Sequence, residues 1–197
     1  MSTGGGYGDA DKRQKILDSA FAVFTKKGYQ QTKVDEVAQL AGIGKGTVYL
    51  YFPSKEELLR EMLKAMIKKN LSELKKRMSE EEHPLAKLKV MYATHASLLQ
   101  ENPSLAQLHI HDFAFVNEAF RAWLEQEKAD FMAYIARIVE AGIKTEEFRP
   151  VNPNLAAALI ISCLSVFLPP YGSDTFSVDD VLDILHYGLC QSLPPRP

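Results

Sequence analysis

VDEVAQLAGIGKGTVYLY, residues 34–51, decides how the rest of the chain is read. Val34, Val37, Ala38 and Ala41 fall on one face of a short helical pattern. Gly42 can take the positive φ of a tight turn. Ala38 is small enough for a second short helix to approach closely, with Val37, Ile43 and Val48 as the apolar contact between the two. Lys45, Gly46, Thr47, Tyr49, Leu50 and Tyr51 are left facing outward. The pattern is a helix-turn-helix, and the outward helix fits a DNA major groove about 12 Å wide.

Helices continue in both directions. Upstream, Ile16, Leu17, Ala20, Phe21 and Phe24 sit at helical spacing between Lys12 and Lys27, and Gly28 supplies a left-handed stop. Thr32 is the expected N-cap of the next helix, with Asp35 three residues on. Downstream, Pro53 ends the second short helix. Ser54 and Glu57 form a capping box for a long helix whose stripe is Leu58, Met62, Met66 (or Ile67), Leu71, Leu74 and Met78. Further helices are expected over about 84–101, 102–115, 117–141 (stopped by Gly142), 153–168 (capped by Asn152) and from Ser177 to about residue 192. Lys144 to Pro153 is the main irregular connection. Strand alternation is missing from the pattern, so the expected fold is all-α with about nine helices. It divides into a tail (1–11), a three-helix helix-turn-helix domain (12–55) and a larger helical domain (56–197).

Charge follows the same division. The chain has 197 residues and a net charge of −2. Its first 70 residues carry 12 Lys and Arg against 8 Asp and Glu, and the remainder 11 against 17. A polyanion would meet the front of this chain and not its back. Thr32 and Lys55 lie at or beside helix N-termini, where phosphate oxygens find free N–H groups, and Lys33 adds a cation there. The apolar stretch Leu155–Leu168 is 14 residues long, short of the ~20 needed to span a bilayer. The glycine-rich start has no apolar region of the secretory type, and the two cysteines, Cys163 and Cys190, do not make a disulfide framework. A cytoplasmic protein is expected, without cofactor or metal.

Residues Gln14 to Leu59 resemble the DNA-binding region of TetR-family transcriptional regulators. The resemblance rests on Ala20, Phe24, Gly28, Tyr29 and Thr32, then on Val37, Ala38, Ala41 and Gly42, then on Gly46, Thr47, Tyr49, Tyr51, Phe52, Ser54, Lys55 and Leu58. It implies a homodimer on a palindromic double-stranded DNA operator, with a C-terminal domain for ligand binding and dimerisation. It places Lys45, Thr47 and Tyr49 against DNA, Tyr51, Thr32 and Lys55 on backbone phosphates, and Phe52 in the core. Leu50 stands at a position that varies in the family. A ligand-responsive repressor is the function implied, with an activator of the same fold as the alternative.

The helices at 153–168 and 178–192 are apolar enough to need cover, which a second subunit would provide. Between them and the front lie aromatic and polarizable residues. Met91, His95, His109, Phe113, Trp123, Phe131 and Phe167 are the candidates for a hydrophobic or amphipathic effector. His95, His109 and Asp112 offer a competing reading as a helical metal-dependent enzyme. However, His109 and His111 point to opposite sides of a helix, and no metalloprotease, nucleophile-elbow or phosphate-loop motif accompanies them.

Overall fold

The computed structural model describes residues 8–101, 117–168 and 176–189. Among these are eight α-helices and one 3-10 segment: α1 (Asp9–Gln31), α2 (Val34–Ala41), α3 (Lys45–Tyr51), α4 (Lys55–Ser79), α5 (Pro84–Glu101), α6 (Glu118–Lys144), α7 (Pro153–Ser162), the 3-10 segment Cys163–Phe167, and α8 (Val178–Leu189). The helix expected over 102–115 lies outside the described residues, as does most of the expected N-terminal tail. Asp9, Ala10 and Asp11, expected in that tail, form the first turn of α1, where the two carboxylates complement the helix dipole.

The chain divides into two compact units, the first running through Asn70 and the second from Leu71 onward among the described residues. The boundary falls inside α4, not at Lys55. Leu58, Leu59, Met62 and Leu63 are buried with α1–α3, so the start of α4 is part of the first unit's core.

In the first unit the helix expected to stop at Gly28 resumes for another turn to Gln31. Gly28 does take a positive φ of 72°, but as a kink. That kink leaves carbonyls without helical partners, and Thr32 turns back to them. Its hydroxyl donates to the Gly28 carbonyl at 2.7 Å, and the residue is only 2% exposed. Thr32 therefore does not cap α2. Lys33 is the N-cap residue, and the Glu36 carboxylate reaches back to its N–H at 3.5 Å. The α2–α3 turn closes as the sequence demands. Gly42 has φ 66°, its N–H bonds the Gln39 carbonyl at 3.1 Å, and the Ile43 N–H bonds Ala38 at 3.0 Å. This is a Schellman ending. Ser54 caps α4 through the Glu57 N–H at 3.1 Å. The Glu57 carboxylate pairs with Arg60.

The second unit is held by a core of Met78, Leu88, Met91, Tyr92, Phe131, Ile135 and Phe167, among others. Asn117 caps α6 through the Phe120 N–H at 3.0 Å. Gly142 does not stop α6, which runs on to Lys144. Phe148 folds back onto the bare Gly142 backbone, and its N–H bonds the Gly142 carbonyl at 2.9 Å. The left-handed residue after the helix is Glu146, with φ 61°. Asn152 caps α7 through the N–H groups of Asn154 and Leu155, both at 3.0 Å. The helix expected to reach Leu168 changes at Cys163 to a 3-10 segment. The buried Tyr92 hydroxyl donates to the Ile160 carbonyl at that change of pitch, supplying a partner where the α-helical ladder ends. Ser177 and Asp180 cap α8 reciprocally. Arg149 closes its far end, donating from its backbone N–H to Leu189 at 2.8 Å and from Nε to Gly188 at 2.7 Å.

One pair in the first unit carries a pH prediction. The Tyr29 hydroxyl donates to Glu56 Oε1 at 2.5 Å. Burial first, then this bond to a carboxylate, raises the Tyr29 pKa from 10.0 to about 12. The folded chain thus holds the phenol proton more tightly than the unfolded chain. This contribution to stability is complete below pH 10 and is lost as pH rises toward 12. Thermal unfolding of the wild type should weaken across that window more than that of Tyr29→Phe. Parallel curves for the two proteins would refute the assignment.

Candidate DNA-reading face and effector core

α3 is short, and only Val48 on it is fully buried. Val48, at 0% exposure, seals the helix against the first unit's core, and Phe52 just beyond it is also buried, as expected. Because helical neighbours three or four residues apart share a face, Lys45, Gly46, Tyr49 and Leu50 stand on the outside. Thr47 and Tyr51 are half-buried at the edges. The spacing predicts all six outside; Lys45, Gly46, Tyr49 and Leu50 are, while Thr47 and Tyr51 flank the buried Val48 at the rim.

The partners of the charged groups were not legible in the sequence. Lys45 Nζ meets Asp35 Oδ2 at 2.9 Å, tying the start of α3 to the start of α2. This bond raises the lysine's pKa, so its charge is secure. Lys27 pairs with Glu36 at 2.6 Å. The hydrogen bond from Lys27 is the leading cause of the lowered Glu36 pKa. Arg13 bonds Glu61 at 2.5 Å while its guanidinium lies 5.2 Å above the Phe52 ring. Tyr51 donates to Asp9, which raises its pKa. Lys55 donates to the Gln30 carbonyl at 3.3 Å and sits 4.4 Å over the Tyr29 ring. Lys33 is exposed at the head of α2. The Thr32 hydroxyl is turned inward, so that side chain does not face a phosphate. The remaining candidate residues of this unit lie at or near the surface.

In the second unit, Met91, Phe131 and Phe167 come together in one buried core. The half-buried His95 ring packs edge-on to Phe167, with centroids 6.3 Å apart. Trp123 is half-buried and pairs with Phe120 at 5.4 Å. His109, Asp112 and Phe113 lie outside the described residues. Among the described residues no group of three or more His, Cys, Asp or Glu side chains could hold a metal ion. No helix there is long and apolar enough to cross a membrane. Sequence reasoning missed an open groove of about 620 Å³ where His83, Lys89, Glu147, Asp179, Asp183 and His186 stand around an apolar floor of Leu85, Ala86 and Leu182. Its walls come from three distant segments, a convergence that no local pattern signals.

Two helices carry apolar side chains that the unit itself does not cover. On α7, Ala156, Ala157 and Ile160 are buried while Leu155 and Leu159 remain 60% and 59% exposed. On α8, Val181, Leu182 and Leu189 are buried while Ile184 and Tyr187 remain 74% and 60% exposed. Spacings of four and three residues put each pair on one outward face.

Residues 16–62 match the profile of the tetR family of bacterial regulatory proteins, and residues 81–167 match that of a tetracyclin repressor-like C-terminal domain. YfiR of Bacillus subtilis, described as an uncharacterised HTH-type transcriptional regulator, is 32% identical over 154 residues, covering 73% of this chain and 71% of its own. The fatty acid metabolism regulator protein of the same organism is 27% identical over 154 residues, covering 78% and 79%. The crystal structure of the transcriptional regulator FadR from Bacillus subtilis in complex with stearoyl-CoA superposes with a TM-score of 0.70 at 22% identity, covering 92% of this chain and 99% of that one.

Proposed function

Because this chain belongs to the TetR family of bacterial regulatory proteins, we propose that it is a ligand-responsive, DNA-binding repressor released from a palindromic operator by an amphipathic acyl effector. The observation that carries the DNA half is the state of α3. One valine anchors the helix, while a lysine, a glycine, a tyrosine and a leucine stand outside with no core to justify them. In a two-fold dimer, two such helices would enter successive major grooves about 34–36 Å apart. The exposed apolar faces of α7 and α8 are the surfaces through which that dimer forms.

The effector half rests on the second unit's apolar interior, with Met91, Phe131 and Phe167 buried together and His95 at their edge. A relative named for fatty acid metabolism and a regulator of like fold holding stearoyl-CoA support an acyl chain as the apolar part. An effector shifts the equilibrium only through unequal affinity for the DNA-bound and free states, typically about 1–3 kcal/mol. The sign of its effect on transcription from the bound operator is what separates a repressor from an activator.

The test is titration of the purified chain with fragments of its own genome over a range of salt, with and without stearoyl-CoA. A sequence-preferring complex that the thioester dissociates is expected, and binding without preference at every salt would end the proposal. Lys55→Ala should weaken binding to all sequences alike and lower the salt slope by about one phosphate contact. An unchanged slope would remove Lys55 from the phosphate set.

A further inference from the structure

Leu50 is 84% exposed, the most exposed of the large apolar side chains among the described residues. It stands one helical turn after Gly46 on the same face of α3. Nothing inside the protein asks for glycine there. The φ of Gly46 is not in the left-handed range, and a Cβ added at that position would meet no atom within 4 Å. Glycine is a poorer helix former than alanine, so the position is kept bare without any internal return. Side chains on a helix lean toward its N-terminus. The Leu50 side chain therefore leans over the gap at Gly46. A bare backbone beside a projecting branched apolar group is a surface shaped for close approach by something outside the chain.

We propose that Leu50 is a specificity-determining residue that packs on the C5-methyl group of a thymine in the major groove, and that Gly46 gives the base edge room to reach it. This rests on the DNA-binding reading above and deepens it by naming the base feature read. The thymine methyl is the one apolar marker in the major groove, and aliphatic side chains recognise it by contact alone. On the same face Lys45 offers a charge, which does not distinguish a methyl from a hydrogen, and Tyr49 is 40% exposed against 84% for Leu50. A leucine at this point distinguishes the two without needing a hydrogen-bond partner.

The test begins with a preferred duplex selected from a random double-stranded library by the full-length protein. Affinities are then measured for the wild type and Leu50→Ala. The duplexes are the selected one and versions with each thymine of the half-site replaced by deoxyuridine, which removes only the methyl. Leu50→Ala should bind the selected duplex about fivefold or more weakly, with an unchanged salt slope and an unchanged melting temperature. At one thymine, deoxyuridine should weaken the wild type by a similar factor and leave Leu50→Ala unaffected. Equal losses from deoxyuridine in both proteins at every thymine would overturn the methyl contact, while leaving the DNA-binding reading intact. So would undiminished binding by Leu50→Ala. If no preferred duplex emerges from the selection, the DNA-binding reading fails and this assignment fails with it. Gly46→Ala, a better helix former, should keep or raise thermal stability yet lose affinity for the selected duplex, and full retention of affinity would remove Gly46 from the contact.

Discussion

Leu159→Glu combined with Ile184→Glu is expected to turn the protein into a monomer and to cost a hundredfold or more in operator affinity. Both side chains are more than half exposed in the isolated subunit, so the substitutions remove no packing from its core. In a dimer closed through α7 and α8 the same positions would be covered, and each carboxylate would enter an apolar contact without a partner. A two-fold axis doubles every such insult, so four charges are introduced by two substitutions. The affinity loss follows from geometry. Two linked recognition helices gain from a second binding event that has become intramolecular, a gain of 10²–10⁴ in avidity, and a monomer forfeits it. Sedimentation or light scattering should give a mass near the 22.1 kDa of one chain, against twice that for the wild type. A double variant that stays dimeric would place the interface elsewhere.

Gly142→Ala is expected to destabilise the second unit by about 1–3 kcal/mol, the usual range for overpacking a filled core. The new methyl would overlap Cδ2 of Phe148 and sit 2.7 Å from its Cε2 and 2.9 Å from its Cγ. That ring cannot withdraw easily. It is fully buried, and its own backbone N–H is fixed to the Gly142 carbonyl at 2.9 Å. The next residue, Arg149, holds the end of α8 through two hydrogen bonds, so a shift of Phe148 would loosen α8 as well. Hydrogen exchange should therefore rise at Gly188 and Leu189 along with the fall in melting temperature. Replacing Phe148 with leucine in the Gly142→Ala background should recover part of the loss. An unchanged melting temperature would show that the turn after α6 adapts freely.

The same glycine shows where sequence reading stopped. A glycine after a long apolar stripe looks like a helix stop, and at Gly42 that inference held, because the left-handed residue and both capping bonds are there. At Gly142 the reason for glycine is a ring six residues later, which no periodicity encodes. Thr32 failed differently. Threonine before a helix usually caps it, but the kink at Gly28 offered its hydroxyl a nearer acceptor. Where signals were local and mutually consistent, as with Pro84 opening α5 and Asn152 before Pro153, the boundaries were readable. The exposed face of α3 was legible because seven residues of helix fix which side chains share a side. The pairing of Tyr51 with Asp9, and of Lys45 with Asp35, was not legible, since each joins residues from different helices.

Those pairings also bear on how the protein would find its target. Lys45, Lys27 and Arg13 each rest on a carboxylate of the same subunit, at 2.9, 2.6 and 2.5 Å. Off DNA, the acids screen the cations, and the long-range pull toward any stretch of duplex is correspondingly muted. To meet DNA, Lys45 would have to leave Asp35 and so change partners, not simply gain one. A reader muffled in this way lingers less on random sequence, and its grip tightens only where shape and base contacts outbid its own acids.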